Sequence, residues 1–176
     1  WARVFAASSA DADAMLDATM IVRAHRNSAG ARKGGDGDAA RGRGRGGLST
    51  KAHAATGAPG NPTGSHPTGG RASDLAGADA LLPDIGASVV LADTGYDAQG
   101  RVLAPLRDAG KTAVIPPARA RTEQRGYDRD LHRARRPIEH CSCRLTHYRA
   151  RSTRHDKTRR PFLAAVHLAA SAILPN

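Results

Sequence analysis

The hydrophobic positions of this chain fall into short runs separated by long polar stretches. Met15 to Ala24 reads MLDATMIVRA, a β-prone run around one acid, and predicts a buried strand with the Asp17 carboxylate at or near its end. Ser88 to Ala92, SVVLA, is an uninterrupted apolar run bounded by turn residues, the pattern of a central strand buried on both faces, with Asp93 directly after it. Asp97 to Ala109 reads as a helix, and Thr112 to Ile115 as a second short strand closed by Pro116-Pro117. Strand, helix and strand in that order predict a parallel β-α-β unit and an α/β fold.

Three further segments have helical spacing. Asp74 to Leu82 places Leu75, Ala78, Leu81 and Leu82 on a helical repeat, with Asp74 as its cap and Pro83 as its stop. Tyr127 to Arg149 is a strongly charged helix carrying Glu139, kinked or interrupted by Pro137. Phe162 to Leu174 closes the chain as a helix burying Phe162, Val166, Leu168 and Ile173.

Two stretches lack such a pattern. Asn27 to Gly47, with RGRGRGG at its end, has too little apolar surface to order itself, and a flexible loop inserted in the domain is expected there. It can touch a nucleic-acid backbone but carries no aromatic for base stacking, so it adds charge without specificity. Leu48 to Gly70 is punctuated by glycine and proline and poor in β-branched and aromatic residues, which allows only a weakly stabilised hairpin.

Size and charge narrow the class. A chain of 176 residues has room for one domain, here 1–176, with a modest core. The formal charge is +11 and arginine supplies most of it, spread from Arg23 to Arg160, so a polyanion is the natural partner. Arginine suits phosphate because its planar fork donates paired hydrogen bonds and keeps its proton. Counterion release then makes binding steeply salt-dependent. A solvated basic surface is the plainer reading of the same charge.

Cys141 and Cys143 are too close to staple a fold, which excludes a secreted disulfide framework and favours a reducing cytoplasm. Phe162 to Leu174 is shorter than the roughly 20 residues a bilayer span needs, so no membrane partner is expected. The chain starts at Trp1 without the basic-then-apolar order of a signal peptide, and this start is read as a truncation.

Cutting a phosphodiester asks a protein mainly for two hard cations that clamp the attacking and leaving oxygens. Short anionic carboxylates suit magnesium, which keeps several waters while bridging a substrate phosphate. Asp17, Asp93 and Glu139 supply such a set from three separated elements. Spacing alone does not single them out, because a chain with 16 acids offers many triplets.

The words LDATMIVRAH at Leu16 to His25, RGGLSTKAHA at Arg45 to Ala54, GNPTGSHPTGG at Gly60 to Gly70, LADTGYD at Leu91 to Asp97 and HDKTRRPFLAAVHLAA at His155 to Ala170 resemble the IS-five-like branch of insertion-sequence transposases, in that family's order and with comparable gaps. The resemblance covers nearly the whole chain and lacks the family's helical N-terminal DNA-binding region. It implies an RNase H-like mixed sheet flanked by helices, with the DDE acids at Asp17, Asp93 and Glu139, each a magnesium ligand. Two magnesium ions, with manganese as a substitute, are the implied cofactors, and no organic cofactor or small-molecule substrate is expected. The implied reaction is metal-dependent hydrolysis that frees a 3′-hydroxyl at an element end, then in-line attack of that hydroxyl on a target strand. Arg45, Lys51, Arg135, Arg144 and Lys157 are the expected contacts to double-stranded DNA at element ends and target, in a homodimer or larger assembly when two ends are synapsed.

Several positions depart from that family. Its Tyr-x-x-Arg-x-x-x-Glu-x-x-x-x-x-x-Lys pattern is kept at Arg135 and Glu139, while His132 stands at the tyrosine and Thr146 at the lysine position. A threonine there loses a charge-assisted phosphate contact. Cys141 and Ser142 replace aromatic bulk after the glutamate, and Pro137 strains the same helix. Ala54-Ala55-Thr56 and Thr63 to Pro67 replace branched and aromatic residues whose burial is worth roughly 1.5–3 kcal/mol each. These departures point to the alternatives: a catalytically inactive, basic nucleic-acid-binding remnant, or a pseudogene product that does not fold stably. His140, Cys143 and His147 also share a helical face as soft metal ligands, but as three ligands they make an incomplete zinc set.

Overall fold

A computed structural model of the chain describes residues 13–25, 28, 40–44, 47–57, 61–133 and 153–173, with backbone alone for 13–20, 44 and 173. Among these, the elements in order are β1 (Asp13–Ala24), β2 (Gly42–Gly44), β3 (Gly47–Gly57), β4 (Pro62–Gly69), α1 (Asp74–Leu81), β5 (Val89–Ala92), α2 (Ala104–Asp108), β6 (Thr112–Val114), α3 (Arg129–Arg133), β7 (Thr153–Arg154) and α4 (Arg159–Ile173). Short 3₁₀ turns at Leu82–Asp84 and Thr94–Tyr96 and a π turn at Gln99–Leu103 connect them.

The described strands form one seven-stranded mixed sheet with the path β2-β3-β1-β5-β6, in which β4 also pairs with β3 and β7 with β1. β1, β3 and β4 are antiparallel neighbours, whereas β5 is parallel to β1 and β6 parallel to β5. An antiparallel meander leading into parallel strands, with helices on both faces, is the RNase H-like arrangement.

Strand alternation sorts the core into two layers. On one face Ala55 of β3 and Val90 and Ala92 of β5 pack with Ala78 and Leu81 of α1 and with Val102, Leu103 and Leu106 around α2. On the other, Ala52 of β3 and Val22 of β1 meet Phe162, Val166, Ala169 and Ala170 of α4. Leu91 and Val114 face away from α1 and are covered by Tyr127.

β3 and β4 are made largely of alanine, threonine, glycine and proline, yet β3 pairs along most of its length with both β1 and β4. Small side chains let α1 approach closely. His53 fills the gap, fully buried against Gly77, where a methyl group would overlap the imidazole. Its Nε2 lies 2.8 Å from Thr68 Oγ1, which ties β3 to β4.

On the opposite face a buried arginine organises the junction with α4. Arg154 of β7 donates to Thr50 Oγ1 at 2.6 Å and to the carbonyls of Ala40, Asp156 and Thr158, with its guanidinium 4.8 Å from the Phe162 ring centre.

Four expectations need correction. Gly42–Gly44, within the segment read as a loop, forms a strand, because the glycine-rich backbone pairs in a hairpin with Gly47, Leu48 and Ser49. The rest of 27–47, apart from 28, 40, 41 and 47, lies outside the described residues. Ser73, not Asp74, occupies the N-cap position of α1, and Asp74 sits in the first turn with its carboxylate turned to Lys51. The predicted 97–109 helix is shorter and irregular, since Pro105 within it favours a helix start and the π turn precedes it. Leu168 of α4 is 46% exposed, because the buried stripe runs through 162, 166, 169 and 170 and 168 lies off it. The side chain of Ile173 lies outside the described residues.

Candidate active site

β1 and β5 run side by side in the same direction, with Leu16 opposite Ala92 as the last register pair. Asp17 and Asp93 are the next residues of their chains, so they follow that pair at the same level of neighbouring parallel strands. Strands in a sheet lie about 4.8 Å apart, which sets the scale of the separation between the two backbones there. A position at the carboxyl end of parallel strands is where open α/β sheets gather their ligands.

Two features of the sheet open this point. β5 ends at Ala92, and β7 takes up the same edge of β1 only at Arg23 and Ala24, so the edge between them is unpaired among the described strands. The β1–β3 register also shifts between Asp17 and Met20. Such an irregularity re-aims the strand where it occurs.

Asp93 continues the extended path of β5 (φ −77°, ψ 166°) and caps the Thr94–Tyr96 turn, its Oδ1 accepting from the Thr94 N–H at 2.7 Å. Its carboxylate is exposed, and among the described residues none donates a hydrogen bond to Oδ2. Strand alternation puts it on the side of Val89 and Leu91, the side covered by Tyr127. α3, which follows Tyr127 and leads toward Glu139, lies beside β5.

The turn that carries Asp93 is held from behind. Tyr96 is buried, and Asp97 has a fully buried carboxylate that receives Arg121 Nε at 2.7 Å, Arg125 Nη1 at 3.3 Å and the Ala118 N–H at 2.8 Å. Burial alone would raise the Asp97 pKa, but the Ala118 hydrogen bond and the two guanidinium charges outweigh it and hold the group below its ordinary range. Arg125 Nη2 also donates to Ile115 O at 2.8 Å, so the 116–126 segment is tied to the end of β6.

A second ion pair touches the same turn. Lys51 of β3 holds Asp74 of α1, and the Asp74 carboxylate lies against Gly95. His53, near this pair, is lowered to about 4 by burial first and then by the Lys51 charge and His66, with Asp74 opposing.

Of the expected metal ligands, Asp17 and Asp93 are thus brought together in register, and Glu139 lies outside the described residues. Asp93 presents an exposed carboxylate at the backbone level of a second acid, the hard oxygen chemistry that suits a magnesium ion. Among the described residues no cluster of three potential ligands occurs. Of the expected DNA contacts, Lys157 is exposed before α4 and Lys51 is engaged with Asp74, while Arg45, Arg135 and Arg144 lie outside the described residues. His140, Cys143 and His147 do as well.

Asp97, Arg121 and Arg125 were not singled out as site residues by sequence, and Asp74 was read only as a helix cap. Nothing in spacing marks them, because their contacts join residues 21 or more positions apart.

Among the described residues no helix is long and apolar enough to cross a membrane. No solved structure matches the chain significantly. Residues 10–172 match the family model of the transposase DDE domain. The chain is similar to a protein of Brucella ovis named as a transposase for the insertion sequence element IS6501, with 33% identity over 127 residues, covering 72% of this chain and 98% of that one. By the breadth of both matches, the chain belongs to the DDE insertion-sequence transposases.

Proposed function

We propose that this protein cuts and joins DNA at the ends of an insertion sequence, with Asp17, Asp93 and Glu139 as the carboxylates that hold two magnesium ions. The observation that carries the reading is the register of β1 and β5, which brings Asp17 and Asp93 to one level at an unpaired point of the sheet. Magnesium, when bound, supplies Lewis-acid stabilisation of the attacking and leaving oxygens. Manganese is the expected substitute.

The chain's own residues bind and orient. The exposed Asp93 carboxylate is offered from a turn that Asp97 and Tyr96 keep in place, so little reorganisation is needed when substrate arrives. Lys157 and the three arginines Arg45, Arg135 and Arg144 neutralise DNA phosphates, while Lys51 stays engaged with Asp74. The first step hydrolyses a strand and leaves a 3′-hydroxyl. In the second, that hydroxyl attacks a target phosphate in line, one phosphodiester forming as another breaks.

The test is nicking of supercoiled DNA carrying element ends in magnesium, with and without Asp93→Asn. The reading expects cleavage that needs the metal and is lost in the variant. Salt-sensitive DNA binding with no metal-dependent cleavage in the unaltered chain would replace it with the inactive basic remnant.

A further inference from the structure

The turn that presents Asp93 has a neighbour with no assigned part in catalysis. Asp74 begins α1, and its carboxylate is aimed at Gly95, two residues beyond Asp93: a Cβ added to Gly95 would lie 2.5 Å from Asp74 Oδ2 and 3.4 Å from Cγ. Only glycine permits that approach. The carboxylate is fixed in turn by Lys51 Nζ on Oδ1, and the same ammonium is 3.5 Å from the Ala72 carbonyl. Side-chain exposures of 16% for Lys51 and 31% for Asp74 leave the pair half-screened by protein.

We propose that Asp74, held by Lys51, is a positioning residue for Asp93, bracing the Thr94–Gly95 backbone so that the Asp93 carboxylate is presented in one orientation. The inference rests on the reading of Asp93 as a metal ligand. It follows from how the turn is clamped: Asp97 with Arg121 and Arg125 secures its far end, and the Asp74 carboxylate lies against its middle. Asp93 itself accepts two of the turn's bonds, from the Thr94 N–H at Oδ1 and from the Tyr96 N–H at its carbonyl at 2.9 Å. Displacement of Gly95 therefore moves the carboxylate through its own hydrogen bonds.

Partly exposed ion pairs add little to global stability. A bracing role thus separates from a merely structural one: removing the pair should loosen the turn while leaving the fold in place. The experiment compares the full chain with Asp74→Asn, Lys51→Met and Gly95→Ala by backbone amide exchange and by magnesium titration of DNA nicking. Expected are faster exchange at Thr94, Gly95 and Tyr96, unchanged exchange in β5 and β1, and a roughly tenfold higher magnesium concentration for half-maximal nicking, as for other residues that orient metal ligands. Lys51→Arg, which keeps the charge, should restore most of both.

Unchanged exchange at 94–96 in Asp74→Asn would overturn the proposal, as would a loss of protection spread over the whole sheet in all three variants. If the unaltered chain does not cleave, the functional reading of Asp93 falls by itself, and exchange at 94–96 still decides whether Asp74 braces the turn.

Discussion

Arg121 Nε lies 2.7 Å from Asp97 Oδ2, and the carboxylate it meets has no exposure to solvent. Breaking a fully buried ion pair from one side costs about 3–5 kcal/mol, and less where the partners reach water. Both arginines are about one-third exposed, so Asp97→Asn is expected to cost about 2 kcal/mol in denaturant unfolding. The loss should fall on the 116–126 segment and on the Asp93 turn together. A variant as stable as the parent would show that the clamp carries no weight.

Gly77 and His53 make a sharper test, because two effects oppose each other there. Glycine to alanine inside a helix normally stabilises by about 1 kcal/mol. Here the methyl would overlap the buried imidazole, and overpacking costs about 1–3 kcal/mol. Gly77→Ala should therefore lower the thermal midpoint. A rise would mean that α1 and β3 can separate without loss.

The same histidine predicts how stability varies with acidity. His53 titrates at about 4 in the fold against an ordinary value of about 6.5. Between those values the unfolded chain takes up a proton that the folded one refuses, so stability is fully present above pH 6.5 and falls as pH drops toward 4. The whole effect is roughly 3 kcal/mol. His66, lowered by burial and then by Arg159, adds to the same slope. Below that window Asp97 takes over, because a carboxylate held under its ordinary pKa withdraws its stabilisation as it becomes protonated. Unfolding free energies at several pH values check this, and His53→Asn should flatten the upper part of the curve.

The strands that carry the acids were legible in the sequence because their runs are short, apolar and bounded by turn residues. SVVLA followed by aspartate announces a central strand with a polar end, and MLDATMIVRA announces another buried strand around an acid. Register between them was not legible, since pairing is decided by packing across the sheet. The β3–β4 hairpin looked weak because its side chains are small. Its support comes from a complementary pair, a large residue at His53 and none at Gly77, and neither signals the other along the chain. The ion pairs of Asp97 and Asp74 were hidden for the same reason: their arginine and lysine partners are distant in sequence.

Arg154 offers a check on the opposite face. Its guanidinium is fully buried and hydrogen-bonds Thr50 and three carbonyls. Burial, then the nearby Arg41 charge, lowers its pKa, with Asp156 acting against them. Lysine keeps the charge but cannot reproduce the planar fork. Arg154→Lys is expected to cost about 3 kcal/mol, the scale of several hydrogen bonds lost in a buried site. Chemical denaturation would register it, and a near-neutral result would mean that water can take the place of these bonds.

The central claim is that Asp17, Asp93 and Glu139 share one metal site. Iron(II) in place of magnesium, with ascorbate and peroxide, cuts the polypeptide only near where the metal is held. The account predicts three sets of fragments, ending near residues 17, 93 and 139, suppressed by excess magnesium and lost in Asp93→Asn. Cuts near 17 and 93 with the chain around 139 intact would contradict it.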